Sequence, residues 1–172
     1  MVNGKSGFLN AFGSASGYAS RNCTFRALHN IGLSNSSAGL GGFLIQPVNK
    51  DGTALHLAIS TLFVSQLHNN HLSWVHLFVV ILTSVFVSVC TAGIPNAGLV
   101  TMTLVISSLN IFPKMTVNIG DIALLSTVYW LLDSCTTVIN VMGNMTVAAI
   151  IDGKKKPFTK EIESDDISTT LH

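Results

Sequence analysis

The chain has 172 residues, 48% of them hydrophobic and only 10% charged, with a formal net charge of +1. Soluble domains carry about 25% charged residues, so the composition is that of a membrane protein, and with no basic face it does not suggest a nucleic-acid partner. From Gly52 to Pro113 there is no Asp, Glu, Lys or Arg, and a core this small cannot bury so long a stretch on all sides.

In chain order, MVNGKSGFLNAFGSASG lacks the compact apolar core and cleavage site of a secretory signal. It reads as a segment entered in mid-structure, so a chain truncated relative to a longer parent is expected. Phe8 to Ser20 crowds Gly, Ser and Ala together, which suits a flexible loop or a close backbone approach. Arg21 to Ser37 is polar and mixed, a connection at the water interface. An apolar helix is predicted over Ala38–Val48, then a polar break at Asn49-Lys50-Asp51-Gly52-Thr53, then a helix over Thr53–Leu67. Two apolar half-segments around such a break form a discontinuous membrane helix, whose freed carbonyls can coordinate a cation. His68 and His71 follow in a loop; with no Cys or carboxylate close by in sequence they read as interfacial residues, not zinc ligands. Trp74 to Ala92 and Leu99 to Phe112 are apolar arms joined by Gly93-Ile94-Pro95-Asn96-Ala97-Gly98, the pattern of a re-entrant hairpin. Trp74 and Trp130 suit either an interface or the bundle interior. Cys23, Cys90 and Cys135 lack metal-like spacing and are expected to be small buried hydrophobes. No motif calls for an enzyme, and none calls for a cofactor.

The longest apolar stretch, Ile122 to Ile151, is long enough to cross a bilayer and carries one formal charge, Asp133. Tyr129, Asp133, Thr136, Thr137, Asn140 and Asn144 recur at spacings of three or four and share one helix face. Leu131, Cys135, Val138, Ile139 and Val141 are predicted to face the other way. A carboxylate at membrane depth needs a cavity, a partner or a ligand. The stripe fits a binding site and fits equally a polar seam between helices. Asp152-Gly153 ends the helix, and Lys154-Lys155-Lys156 beyond it predicts a cytoplasmic C-terminus followed by a disordered tail.

Four stretches carry a resemblance. Ala92 to Met102, AGIPNAGLVTM, resembles the second hairpin tip of the dicarboxylate/amino acid:cation symporter family, the sodium-coupled glutamate and neutral amino acid transporters. Asn49 to Thr53 resembles that family's Asn-Met-Asp-Gly-Thr motif. Ala11-Phe12-Gly13-Ser14 and the Ser/Gly/Ala run after it resemble its first hairpin tip. Trp130 to Asn144 resembles its last helix. Together these cover Phe8 to Ile151 and imply the carboxy-terminal part of the mobile transport domain. No counterpart of the family's scaffold helices is present.

The resemblance implies a small amino acid as substrate, bound by Asp133, Thr136, Thr137, Asn140, Thr53, Gly93, Ile94, Pro95, Ala97, Gly98, Ser14 and Ser16. It implies sodium as the coupling ion, at Asn49, Asp51, Asn140 and Asn144. It further implies a multi-pass plasma-membrane protein that forms a homo- or hetero-trimer with family members.

The departures are as informative. Thr136 stands where the family holds an arginine for an acidic side chain, which favours a neutral substrate. Asn144 and Tyr129 replace aspartates, and Lys50 replaces the methionine of the motif. Ile45-Gln46-Pro47 replaces a Gly-Ala-Thr. So many changes at cation positions leave a second reading: a degenerate family member that does not transport alone and at most associates with full-length relatives.

The expected fold is all-α and multi-pass, with re-entrant hairpins and a discontinuous helix. Its segments are 1–37 for the first hairpin and connection, 38–72 for the discontinuous helix, 73–113 for the second hairpin region, 114–152 for the last helix and 153–172 for the tail.

Overall fold

The computed structural model describes residues 5–68, 70, 72–112 and 117–153, and every regular element among them is helical. The Pro113-Lys114 connection, Lys154 to Lys156, the tail, His71 and His172 lie outside the described residues.

Helix α1 (Lys5–Ser14) turns at Ala15, whose φ is 45°, into α2 (Gly17–Asn30). Ser16 caps α2 by accepting from the Ala19 amide at 3.3 Å, a side-chain substitute for a missing turn. Helix α3 (Asn35–Gly39), capped by Ser34, runs into a π turn over Leu40–Ile45. After a break, α4 (Asp51–Leu67) begins, then α5 (Trp74–Cys90) and α6 (Ala97–Leu109). A 3-10 turn (Ile119–Asp121) leads to α7 (Ile122–Ser126) and α8 (Tyr129–Asp152).

Two apolar clusters meet on α8. Leu57, Val64, Val80, Met102, Val105, Ile106 and Leu109 gather α4, α5 and α6 around Tyr129. Ala11, Ala27, Leu28 and Ala38 gather α1, α2 and α3 around Val141, Met145 and Ala148. Helix α8 is therefore the shared wall of two helical groups.

The packing is inside out by the standards of a soluble domain. Ser60, Thr61 and Ser65 of α4 and Ser84 and Ser88 of α5 are buried, whereas Phe78, Phe86 and Trp74 of α5 are 66%, 67% and 86% exposed. Leu55, Ile59 and Phe63 of α4 and Val100 and Leu104 of α6 are exposed as well. So large an apolar exterior needs a non-aqueous surround. Among the described residues α8 alone is long and apolar enough to cross a membrane; α5 and α6 are apolar but shorter.

Several sequence expectations are corrected. Arg21 to Asn30 is helix, not connection, because the Ser16 cap starts α2 inside the Gly/Ser run. Helix α4 starts at Asp51, so the break is shorter than Asn49–Thr53. The Ile122–Ile151 helix is interrupted at Thr127-Val128: Ser126 and Thr127 donate their hydroxyls to Ala123 O at 2.7 Å and Leu124 O at 2.9 Å, competing with the helix ladder. Cys90 and Cys135 are exposed, not buried. Val141, expected on the apolar outer face, is buried against α1 to α3. Both tryptophans point outward. His68 does have a carboxylate partner, Asp121, brought close from the turn before α7.

Candidate functional site

A partly open cavity lies where the two hairpin tips, the helix break and α8 converge. Ala15, Gly17 and Tyr18 line it from the α1–α2 turn, and Thr91, Ala92, Gly93, Ile94 and Gly98 from the α5–α6 tip. Gln46, Lys50, Thr53 and His56 come from the broken helix, and Tyr129, Asp133, Thr136, Thr137, Asn140 and Val141 from α8.

Of the residues predicted for substrate, Asp133, Thr136, Thr137, Asn140, Thr53, Gly93, Ile94 and Gly98 meet at this cavity. Pro95, Ala97, Ser14 and Ser16 do not line it. Ser14 instead donates to Asn10 O at 2.7 Å, closing the end of α1. Ser16 donates to Gly93 O at 2.8 Å, and the Tyr18 amide donates to the same carbonyl at 3.2 Å. The two tips thus touch through one carbonyl.

The α5–α6 tip is tied down from two further sides. The Asn96 amide donates to Asp133 Oδ2 at 2.9 Å, with Asn96 in the left-handed region at φ 64°. Lys50 Nζ donates to Thr91 O at 2.9 Å. Tyr129 reaches up from α8 against Gly98, and a Cβ at that glycine would overlap the Tyr129 hydroxyl. Only glycine lets tip and helix approach so closely.

Asn140 joins α8 to the start of α4. Its Oδ1 accepts from the Gly52 amide at 2.9 Å, and its Nδ2 donates to Thr53 Oγ1 at 2.9 Å. The first amides of a helix have no internal partner, so Asn140 caps α4 from another element. That use diverts Asn140 from the predicted cation set. The other three members do converge. The Asn49 amide lies 2.7 and 3.1 Å from the Asp51 carboxylate oxygens and 3.1 Å from Asn144 Oδ1. A Cβ on Gly143 would stand 2.6 Å from Asn49 Nδ2 and 3.0 Å from Asp51 Oδ2, so the group sits in space that a larger residue would fill. The amide nitrogen of Asn144 is buried without a partner. One carboxylate and two amide oxygens make a donor set of the kind hard cations take.

The model of the sodium:dicarboxylate symporter family matches residues 2–154. The chain belongs to that family. It is 35% identical over 145 residues to an excitatory amino acid transporter of Caenorhabditis elegans, covering 84% of this chain and 28% of that protein. It is 35% identical over 125 residues to excitatory amino acid transporter 3 of Oryctolagus cuniculus, covering 73% of this chain and 22% of that protein. With excitatory amino acid transporter 4 of Mus musculus it shares 33% identity over 164 residues, 95% of this chain and 28% of the relative. The chain thus spans under a third of the length of the relatives it matches.

Membership in a transporter family agrees with the absence of any nucleophile or acid–base motif in the sequence. Sequence reasoning does not bring His56 or Tyr18 to a site, and it counts Gln46 only among the departures from the family pattern. The ring of His56 lies 5.5 Å from that of Tyr129, and its Nε2 is buried without a partner. Gln46 is pinned between hairpin and break: its amide nitrogen donates to Gly17 O, and its Oε1 accepts from Arg21 Nε at 3.1 Å. Arg21 in turn lies 4.2 Å over the Tyr18 ring. A polar residue followed by proline, inside an otherwise apolar run, was the available signal for Gln46.

Proposed function

We propose that this chain is the substrate-binding part of a sodium-coupled amino acid transporter embedded in a membrane, and that its substrate is a small neutral amino acid. One observation carries the reading: Asp133, the one carboxylate among the residues that line the cavity, stands in its wall beneath the hairpin tip. A desolvated carboxylate holds an ammonium by charge-assisted hydrogen bonds. The start of α6 and the tip backbone offer amides for the substrate's carboxylate. Thr136, Thr137 and His56 leave a polar subsite for a short side chain. No guanidinium stands at position 136 to grip a second carboxylate, which argues against an acidic substrate. The relatives' names speak of excitatory amino acids, so an acidic substrate gripped by Lys50 is the competing assignment.

Asn49, Asp51 and Asn144 are the residues we assign to sodium. The Asn49 amide turns its nitrogen to the Asp51 carboxylate, and a turn of that amide would bring its oxygen to the same place, giving a cation the hard donors it takes. In this reading α1–α2 and α5–α6 are re-entrant hairpins whose tips are covered by protein. The run Lys154-Lys155-Lys156 in the sequence beyond α8 supports a cytoplasmic C-terminus, and the family resemblance adds a plasma-membrane trimer, with itself or with full-length relatives. A second reading is favoured by the amide at Asn144 and the ammonium at Lys50: a family fold that does not transport alone.

Uptake of labelled alanine, serine and glutamate into cells expressing the chain, in sodium and in choline medium, tests this. Sodium-dependent uptake of alanine or serine is expected. Asp133→Asn should lower it by at least about a hundredfold, the scale for breaking a buried charge pair. Glutamate uptake abolished by Lys50→Met would replace the neutral assignment with the acidic one. No uptake by protein shown to be in the membrane would overturn independent transport in favour of the second reading.

A further inference from the structure

The position of Lys50 has a meaning beyond substrate choice. Helix α5 has 17 residues and ends at Cys90; Thr91 leaves the helix with φ −68° and ψ 126°. The last carbonyls of any helix lack internal partners and form the negative end of its dipole. A site of this kind attracts a cation. Here Lys50 Nζ donates to Thr91 O at 2.9 Å across the cavity wall. The lysine belongs to the break before α4, so its ammonium links the broken helix to the α5–α6 tip. The tip's other fastenings are of a different kind: Gly93 O on Ser16 and Tyr18, and the Asn96 amide on Asp133. Among the described residues, Lys50 is the one cationic side chain that donates to the end of α5.

We propose that the Lys50 ammonium is a tethered cation that holds the α5–α6 tip shut over the cavity, so that closure needs no dissolved ion at the end of α5. The proposal rests on the transporter reading above, in which the α5–α6 tip must open for substrate to reach the cavity beneath it. A lysine head is a compact point charge with three donors on a flexible stem, able to seat on a carbonyl that a small cation would otherwise take. Being covalently attached, it is present at a high local concentration whatever the salt. It also repels a dissolved cation from the same place. The Asn49, Asp51 and Asn144 group is a separate position whose ion is not needed to shut the tip, so this protein would close its tip with fewer ions than a relative with an uncharged residue at the same place.

Access to the cavity floor is the test. Thr136 is buried on α8 beneath the tip. In the full chain carrying Cys23→Ser, Cys90→Ser and Cys135→Ser, the thiol introduced by Thr136→Cys is alkylated with a polar maleimide in detergent. The rate is compared in sodium chloride and in choline chloride at equal ionic strength. With Lys50 present, slow labelling within about twofold in the two salts is expected; with Lys50→Met, labelling in choline should rise by about tenfold, a usual size for coupling between two sites. Lys50→Arg should keep the protection, and Lys50→Gln replaces the methionine variant if that one does not fold. Labelling that slows on adding sodium while Lys50 is present, or that is unchanged by Lys50→Met, overturns the proposal. The assay needs no amino acid, so a chain that fails to take up substrate can still pass or fail it.

Discussion

Gly98 is the narrowest point of the site, because the Tyr129 hydroxyl occupies the volume that a side chain there would need. Gly98→Ala should lift the α5–α6 tip and strip the Asn96 amide from Asp133. Inserting a methyl group into a filled space costs about 1–3 kcal/mol, so affinity for labelled serine, measured on purified protein, should fall by about tenfold. Combining Gly98→Ala with Tyr129→Phe removes the obstructing oxygen and should restore most of that loss. If the double variant binds no better than the single one, the overlap is not the cause. At this scale the stripe on α8 was legible, since a period near 3.6 puts Asp133, Thr136, Thr137 and Asn140 on one face whatever surrounds them. His56 and Gln46 were not. Polar residues do lie at helical spacing from them, Ser60 from His56 and Lys50 from Gln46, but nothing in that spacing aims them at a site, and the packing of other elements turns them inward.

Among the described residues, Asn140 is the α8 side chain that hydrogen-bonds the first residues of α4. Asn140 accepts from the Gly52 amide and donates to Thr53, so Asn140→Ala leaves a buried amide unpaired at the helix start. Such an orphaned group costs about 1–3 kcal/mol, and thermal unfolding of the purified chain should move to lower temperature accordingly. Asn140→Asp keeps an acceptor at that position and should lose less; equal losses would mean that the cap is not what stabilises the joint. The apolar helices α4, α5, α6 and α8 could be read from hydrophobic runs and from the Gly-Pro tip between α5 and α6. Helix α2 could not, because small residues between Phe8 and Ser20 describe a loop as well as a helical turn, and the Ser16 cap decides between them. The interruption at Thr127-Val128 escaped for a similar reason: nothing in the run of apolar residues marks two hydroxyls bonding back to their own helix.

Taken whole, the molecule keeps hydroxyls inside and large hydrocarbons outside, which the low charge content announced before any element was placed. Phe86, 67% exposed on α5, should face lipid, while Ser84, 1% exposed, is buried in the bundle. Phe86→Lys should impair membrane integration in a microsomal insertion assay, by less than the about 2.5–3.5 kcal/mol of apparent free energy that a charge costs at the middle of a spanning helix. Ser84→Ala should integrate normally. Comparable insertion of both variants would mean that this face of α5 does not meet hydrocarbon. Helix α8 completes both apolar clusters, yet among the described helices it is the last to leave the ribosome. The N-terminal group and the group of α4 to α6 are each made without their common wall. Synthesis therefore runs opposite to the order in which the packing can close, and both half-built cores must wait for the final helix to be delivered.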